Sequence, residues 1–265
     1  MSTEYKVKKI FRGHTDYVRS LALFPDKNFI SGSYDDTIKR WNIYEDNALN
    51  TYQVSELMWS LAVLDDKTFI SGGDNSIKLW NVHQDNALHT YEGHTDYVYT
   101  LAVLNDGTFI SGSWDNTIKR WNIDNDRAAL LTYVGHTKRV CTLAKLDDKT
   151  FISGSWDHTI KLWKIDKTTP ELTYEGHTSY VFALAVLKPH TFISASADNT
   201  IKLWSYFDEP LTIQFRKHLN KIFSYGPSYT IQSYLHNPAG HEFQKITGGK
   251  RRNKKSKKKR SNKKK

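Results

Sequence analysis

The sequence predicts an all-β chain built from a tandem four-stranded unit, and three observations predict it. Five segments end alike, in SGSYDDTIKRW at Trp41, SGGDNSIKLW at Trp80, SGSWDNTIKRW at Trp121, SGSWDHTIKLW at Trp163 and SASADNTIKLW at Trp204, at intervals of 39, 41, 42 and 41 residues. A Gly-His pair precedes four of the five, with His14, His94, His136 and His177 each 27 residues ahead of its tryptophan. Between these landmarks, short runs of β-branched and aromatic residues alternate with turn residues. A period of about 40 residues with four strands per unit marks the blades of a β-propeller, sheets packed face to face around an axis.

Within a unit the elements follow in order. A run such as YVYTLAVL is the first strand, LNDG or LDDK turns the chain, and TFISGS is the second strand. WDN turns it again, TIKRWNI is the third strand, and a short piece such as ALHTY is the fourth. Apolar residues stand at both odd and even positions, as with Ile118 and Trp121, which suits strands covered on both faces. A ring must also hide its sheet edges. His218 lies 41 residues after His177, and HLNKIFSY can be laid on HTSYVFAL, so residues 216–246 read as a degenerate sixth blade. Glu4 to Phe11 would then supply its outermost strand, an N-terminal strand closing the ring; six blades and another closure both stay open. The domain reading is a propeller over 5–215, a divergent segment over 216–246 and a tail over 247–265.

Charge separates the tail from the rest. Of 38 basic residues, 12 fall between Lys250 and Lys265, where there is no acid, leaving 26 basic against 28 acidic residues elsewhere. The tail, with Lys250, Arg251, Arg252, Lys254, Lys255, Lys257, Lys258, Lys259 and Arg260, has no apolar residue with which to offset ordering entropy, so it is expected to be disordered. Such a run serves as a nuclear-import signal, a solubiliser or a nucleic-acid patch, and without interleaved aromatics any such binding is blind to sequence. Cys141 is the only cysteine, which excludes an internal disulfide framework and a multi-cysteine zinc site. The N-terminus carries charges where a signal peptide needs an apolar core, and no apolar run approaches the ~20 residues of a membrane-spanning helix. The expectation is an intracellular protein, cytoplasmic or nuclear, with no membrane partner.

The pattern Gly-His, about 20 residues, Ser-x-x-x-Asp, then Ile-Lys-x-Trp resembles the WD-repeat β-propeller family. The Asp that usually follows the tryptophan is absent, since Asn42, Asn81, Asn122, Lys164 and Ser205 stand there. The resemblance implies a hydrogen-bonded tetrad in each blade: Trp41, Ser31, His14 and Asp35 in blade one; Trp121, Ser111, His94 and Asp115 in blade three. Blade four would use Trp163, Ser153, His136 and Asp157, and blade five Trp204, Ser194, His177 and Asp198. A buried indole N–H needs an acceptor, the serine can serve and donate onward, and the histidine can reach the aspartate. Blade two keeps Ser71, Asp74 and Trp80 but no histidine, with only Gln53, Val54 and Ser55 nearby, so its loop is expected to be the loosest.

Relatives of this kind meet partners at the narrow end of the ring. The positions implied here are Tyr17, Arg19 and Tyr34; Leu57, Trp59 and Gly73; Tyr97, Tyr99 and Trp114; Arg139, Cys141 and Trp156; Tyr180, Phe182 and Ala197. Nine of these fifteen are aromatic, against 13% of the whole chain. Tyr, Trp and Arg dominate binding hot spots, so the face is expected to hold a peptide or protein, with an apolar or cationic side chain among the rings. The competing reading is that the rings only fill space between blades. Arg19 and Arg139 are the only fixed positive charges at these positions, which disfavours a phosphopeptide reader.

The Ser, His and Asp of the tetrads invite a hydrolase reading, but a nucleophilic serine belongs to one exposed site, not to four repeated strand positions. No G-x-x-x-x-G-K, G-x-G-x-x-G or H-E-x-x-H occurs, and His83, His89, His158 and His190 lack metal-ligand spacing. The sequence therefore predicts no catalysis, no cofactor and no metal: an interaction scaffold, or alternatively a nucleic-acid or ribosome-assembly associated protein working through its tail.

Overall fold

The computed structural model describes residues 6–124, 128–188 and 190–205. Blade one is β1 (Val18–Leu23), β2 (Asn28–Ser33), β3 (Thr37–Asn42) and β4 (Asn50–Gln53), and blade two is β5 (Ser60–Val63), β6 (Thr68–Gly72), β7 (Ser76–Asn81) and β8 (His89–Glu92). Blade three is β9 (Val98–Val103), β10 (Thr108–Ser113), β11 (Ile118–Asn122) and β12 (Leu131–Tyr133). Blade four is β13 (Val140–Lys145), β14 (Thr150–Ser155), β15 (Ile160–Lys164) and β16 (Leu172–Tyr174); blade five is β17 (Val181–Lys188), β18 (Thr191–Ser196) and β19 (Ile201–Ser205). Each blade is an antiparallel meander, and the first strands adjoin one another in series, β1 with β5, β5 with β9, β9 with β13 and β13 with β17.

The cores lie between blades, not within them. One joins Phe24 and Ile30 to Phe69 and Trp80, the next joins Ile70 and Ile77 to Phe109 and Trp121, and the last two repeat this at blades three to four and four to five. In every blade the phenylalanine of the second strand stacks on the tryptophan opposite it, as Phe109 does on Trp121 with ring centroids 6.3 Å apart and planes at 17°. The last tyrosine of the preceding blade closes on the pair edge-on, Tyr91 on Phe109 at 5.1 Å and Tyr133 on Phe151 at 5.1 Å. Such T-shaped contacts suit the ring quadrupoles. The tyrosine hydroxyl then donates to a backbone carbonyl across the seam, Tyr133 to Ile165 at 2.7 Å. A mixed odd-even apolar pattern is what burial on both sheet faces requires, and both faces of blades two to four are covered.

Blade one has no described neighbour before it, yet its seam is begun. Phe11 stands edge-on to Phe29 at 4.9 Å and to Trp41 at 5.7 Å, the place Tyr91 takes at the next seam but one. Phe11 precedes His14 by the three residues that separate Tyr91 from His94. Residues 6–11 carry no strand pairing among the described residues. The degenerate sixth blade, its pairing with Glu4 to Phe11, and the basic tail all lie outside the described residues.

Candidate functional site

The tetrads set the loops that carry the face. In blade three the Trp121 indole donates to Ser111 Oγ at 2.8 Å, Ser111 Oγ lies 2.7 Å from His94 Nε2, and His94 Nδ1 lies 2.6 Å from Asp115 Oδ2. Blades one, four and five repeat the chain, with Trp–Ser distances of 2.7–2.8 Å and Ser–His distances of 2.7 Å. The proton directions follow by elimination. A carboxylate only accepts, so Nδ1 carries the proton and donates to it, Nε2 accepts the serine proton, and the serine accepts from the indole.

Burial pulls the His94, His136 and His177 imidazoles below their usual value, and the neighbouring carboxylates only partly oppose it, which keeps these rings neutral. Burial pushes the Asp35 carboxyl up, but hydrogen bonds from Thr37, the Thr15 amide and His14 outweigh it and hold it at about 2. Asp115, Asp157 and Asp198 are depressed in the same way.

Two residues of each intact network escaped sequence reasoning. The hydroxyls of Thr37, Thr117, Thr159 and Thr200 each donate to the aspartate two residues earlier at 2.6 Å. Ser33, Ser113, Ser155 and Ser196 donate to a carbonyl of the entering loop and accept the aspartate amide. Their signal was present as the repeated Ser-x-Ser and Asp-x-Thr, four times over.

Blade two corrects the expectation for Asp74. The Trp80 indole still donates to Ser71 at 2.9 Å, but the carboxylate that ties loop to strand is that of Glu56. Glu56 accepts from the Ser76 hydroxyl at 2.9 Å and the Asp74 amide at 3.1 Å, and pairs with Lys78 at 2.8 Å. Asp74 Oδ1 is buried with no partner among the described residues, and burial together with the Glu56 charge holds its carboxyl above the usual range. The loop expected to be loosest thus has an anchor of its own. Gly73 stands where other blades carry Tyr34, Trp114 or Trp156, and a Cβ there would lie 2.3 Å from Glu56 Cδ. That glycine was the sequence signal for Glu56.

Above the tetrads the predicted aromatic residues meet in one ribbon. Tyr17 touches Tyr34 with centroids 6.4 Å apart, Tyr34 touches Trp59 at 5.5 Å, and Trp59 reaches Tyr97 at 5.1 Å and Tyr99 at 5.5 Å. Tyr97 packs on Trp114 at 4.9 Å, Trp114 lies 6.1 Å from Trp156, Trp156 stacks on Tyr180 at 4.4 Å, and Tyr180 meets Phe182 at 6.2 Å. Its middle is half-buried between blades, and its ends, Tyr17 and Phe182, are 77% and 47% exposed.

The slots between rings are filled by the protein itself. Arg19 covers Trp59 at 5.5 Å and Tyr99 at 5.3 Å and donates to the Tyr99 hydroxyl, while Arg139 covers Trp114 at 3.5 Å and Trp156 at 4.7 Å. A ligand cation therefore finds these two slots taken. Cys141 is buried beneath this region, and burial pushes its thiol up to about 12, so it is an inert filler. Leu57 is exposed beside Trp59, and Ala197 is exposed in blade five. A cavity of about 320 Å³ opens between Arg19, Trp59 and Tyr99 and runs down to Ser20, Ser60 and Thr100 of the first strands. Among the described residues no cluster of His, Cys, Asp and Glu could hold a metal, and no helix is long and apolar enough to cross a membrane.

The family described as WD domain, G-beta repeat matches residues 5–42, 49–81, 85–122, 128–164 and 168–205. Among solved structures, the WD40 β-propeller domain of Doa1 is similar at 29% identity and a TM-score of 0.68, over 77% of this chain and 70% of that one. No curated protein matches the chain in sequence.

Proposed function

The chain belongs to the WD-repeat family, and we propose that it is a non-catalytic scaffold holding a peptide or protein segment on the aromatic narrow face of its propeller. Propellers of this family mediate protein–protein interaction. The observation that carries the reading here is the unbroken ribbon from Tyr17 to Phe182, rigid rings locked by two arginines over hydrogen-bonded loops. Rings held this way lose little entropy on binding, which is why such residues dominate hot spots.

Each tetrad has the atom spacing of a Ser-His-Asp triad, yet its chemistry is sealed. The Ser111 hydroxyl already accepts the Trp121 indole proton, and the His94 side chain is 0% exposed. A substrate carbonyl has no route to that oxygen, so the proposal assigns the tetrads to structure and no reaction to the protein.

A second reading rests on composition: 12 basic residues among the last 16 would bind nucleic acid electrostatically. The test is affinity capture with mass spectrometry, comparing wild type, Tyr97→Ala/Trp114→Ala, and a chain ending at Gly249, each with and without nuclease. Circular dichroism and Tm establish that each variant is folded. The scaffold reading expects one set of proteins to survive tail removal and nuclease and to vanish in the double variant. Recovery that disappears with the tail or with nuclease transfers the function to the tail.

A further inference from the structure

We propose that the ribbon over blades three to five reads an acidic segment of its partner, with the Arg139 guanidinium receiving a carboxylate edge-on; this rests on the scaffold reading and specifies its ligand. The Arg139 carbon Cζ lies 3.5 Å from the Trp114 ring centroid and 4.7 Å from that of Trp156. The guanidinium thus lies over the Trp114 ring with Trp156 to one side of it, and its N–H donors lie in its plane, so an acceptor must approach at the edge. Those donors make no hydrogen bond or ion pair among the described residues. Two other arginines differ, Arg120 pairing with Asp106 at 2.7 Å and Arg19 spending a donor on Tyr99, whereas Arg40, over the Phe24 ring at 5.8 Å, also has a buried Nε without a partner among the described residues. A stacked fork with open donors matches the two oxygens of a carboxylate.

The charges around it agree. The residue before Arg139 is Lys138, where the corresponding loop residues of blades one, two and three are Asp16, Glu56 and Asp96. The turn after the tetrad aspartate carries His158 in blade four, where blade one has Asp36. Of the nearby carboxylates, Asp157 is buried and occupied by His136, Thr159 and the Thr137 amide, and Asp96 accepts the Tyr97 amide at 2.8 Å. Neither pairs with Arg139. Blade four is therefore the basic sector of a rim whose blade-one end is acidic, and an anionic segment is steered to the former. One guanidinium fork with a single exposed lysine beside it, and no cluster of arginines, fits a carboxylate better than a doubly charged phosphate.

The test is a selection from a random dodecapeptide library displayed on phage, run on the full chain, with the selected peptides then synthesised and titrated by fluorescence anisotropy. Wild type should enrich Asp or Glu at one fixed position. Arg139→Gln should weaken the selected peptide about 10- to 100-fold, and replacing the peptide's acid by its amide should cost the same, with no further loss when both are changed. Arg139→Lys should recover only part, because the ammonium lacks the planar fork. Attraction to the basic tail is equal in all variants, so it cannot mimic this pattern. Peptides that need Tyr97 and Trp114 but show no acid preference, or bind Arg139→Gln unchanged, overturn the acidic reading and leave the scaffold reading standing. A phosphorylated peptide outcompeting the carboxylate also overturns it. A selection yielding no peptide sensitive to Tyr97→Ala/Trp114→Ala removes both.

Discussion

Blades three and two fasten the same loop to the same strand by different chemistry. In blade three a chain of neutral groups ends on one carboxylate, with Trp121, Ser111 and His94 aligned behind Asp115 and four donors converging on its oxygens. In blade two a glutamate from the entering loop accepts from Ser76 and pairs with Lys78, and the aspartate of the motif is left over. A propeller blade thus needs an acceptor at this junction, not a particular motif residue. An aspartate whose one backbone donor, from Leu57, leaves Oδ1 buried and unpartnered among the described residues becomes a cost.

That contrast is sharpest when the same substitution is made in both blades. Asp115→Asn should lower stability by about 2–4 kcal/mol, because an amide turns an NH2 toward groups that are all donors. Asp74→Asn should leave stability unchanged or raise it by up to about 1 kcal/mol, since burial and Glu56 already disfavour the Asp74 charge. Urea midpoints of the two variants decide this, and an equal loss in both would end the distinction.

A smaller effect tests the pairing of Gly73 with Glu56. Gly73→Ala should cost about 1–3 kcal/mol by driving its Cβ into the Glu56 carboxyl, and nearly nothing in a Glu56→Ala background. Additive losses would mean that Gly73 is required for its backbone alone.

The smallest expected effect is on pH, and it belongs to the intact blades. The folded imidazoles of His94, His136 and His177 titrate below the unfolded value of 6.5, so below that pH the unfolded chain binds protons that the native chain refuses. Stability should therefore be level from about pH 8 to 7 and decline as pH falls through 6.5. At lower pH the depressed carboxyls add a second loss as they are protonated. Differential scanning calorimetry across this range reads it, and a Tyr substituted for His94 should flatten part of the first decline.

Much of this was legible because repetition is an internal control. One Gly-His-Thr or Ser-x-x-x-Asp says little, but four at fixed spacing place strands, turns and network residues together, and the positions of Tyr17 to Phe182 follow by counting. Glu56 was legible only indirectly, through Gly73, because its partners Ser76 and Lys78 lie on β7, some twenty residues further along the chain. The free edge of Arg139 was hidden: nothing in Thr-Lys-Arg-Val says that the guanidinium lies over one indole with the indole of the neighbouring blade beside it. The sequence by itself determined the five units, their strands and their buried tryptophans, since these depend on local pattern and on burial of both sheet faces. Only the tertiary structure decided which carboxylate anchors blade two and which aromatic slots are already filled. Those outcomes depend on side chains meeting across seams, where distance in the chain carries no information about distance in space.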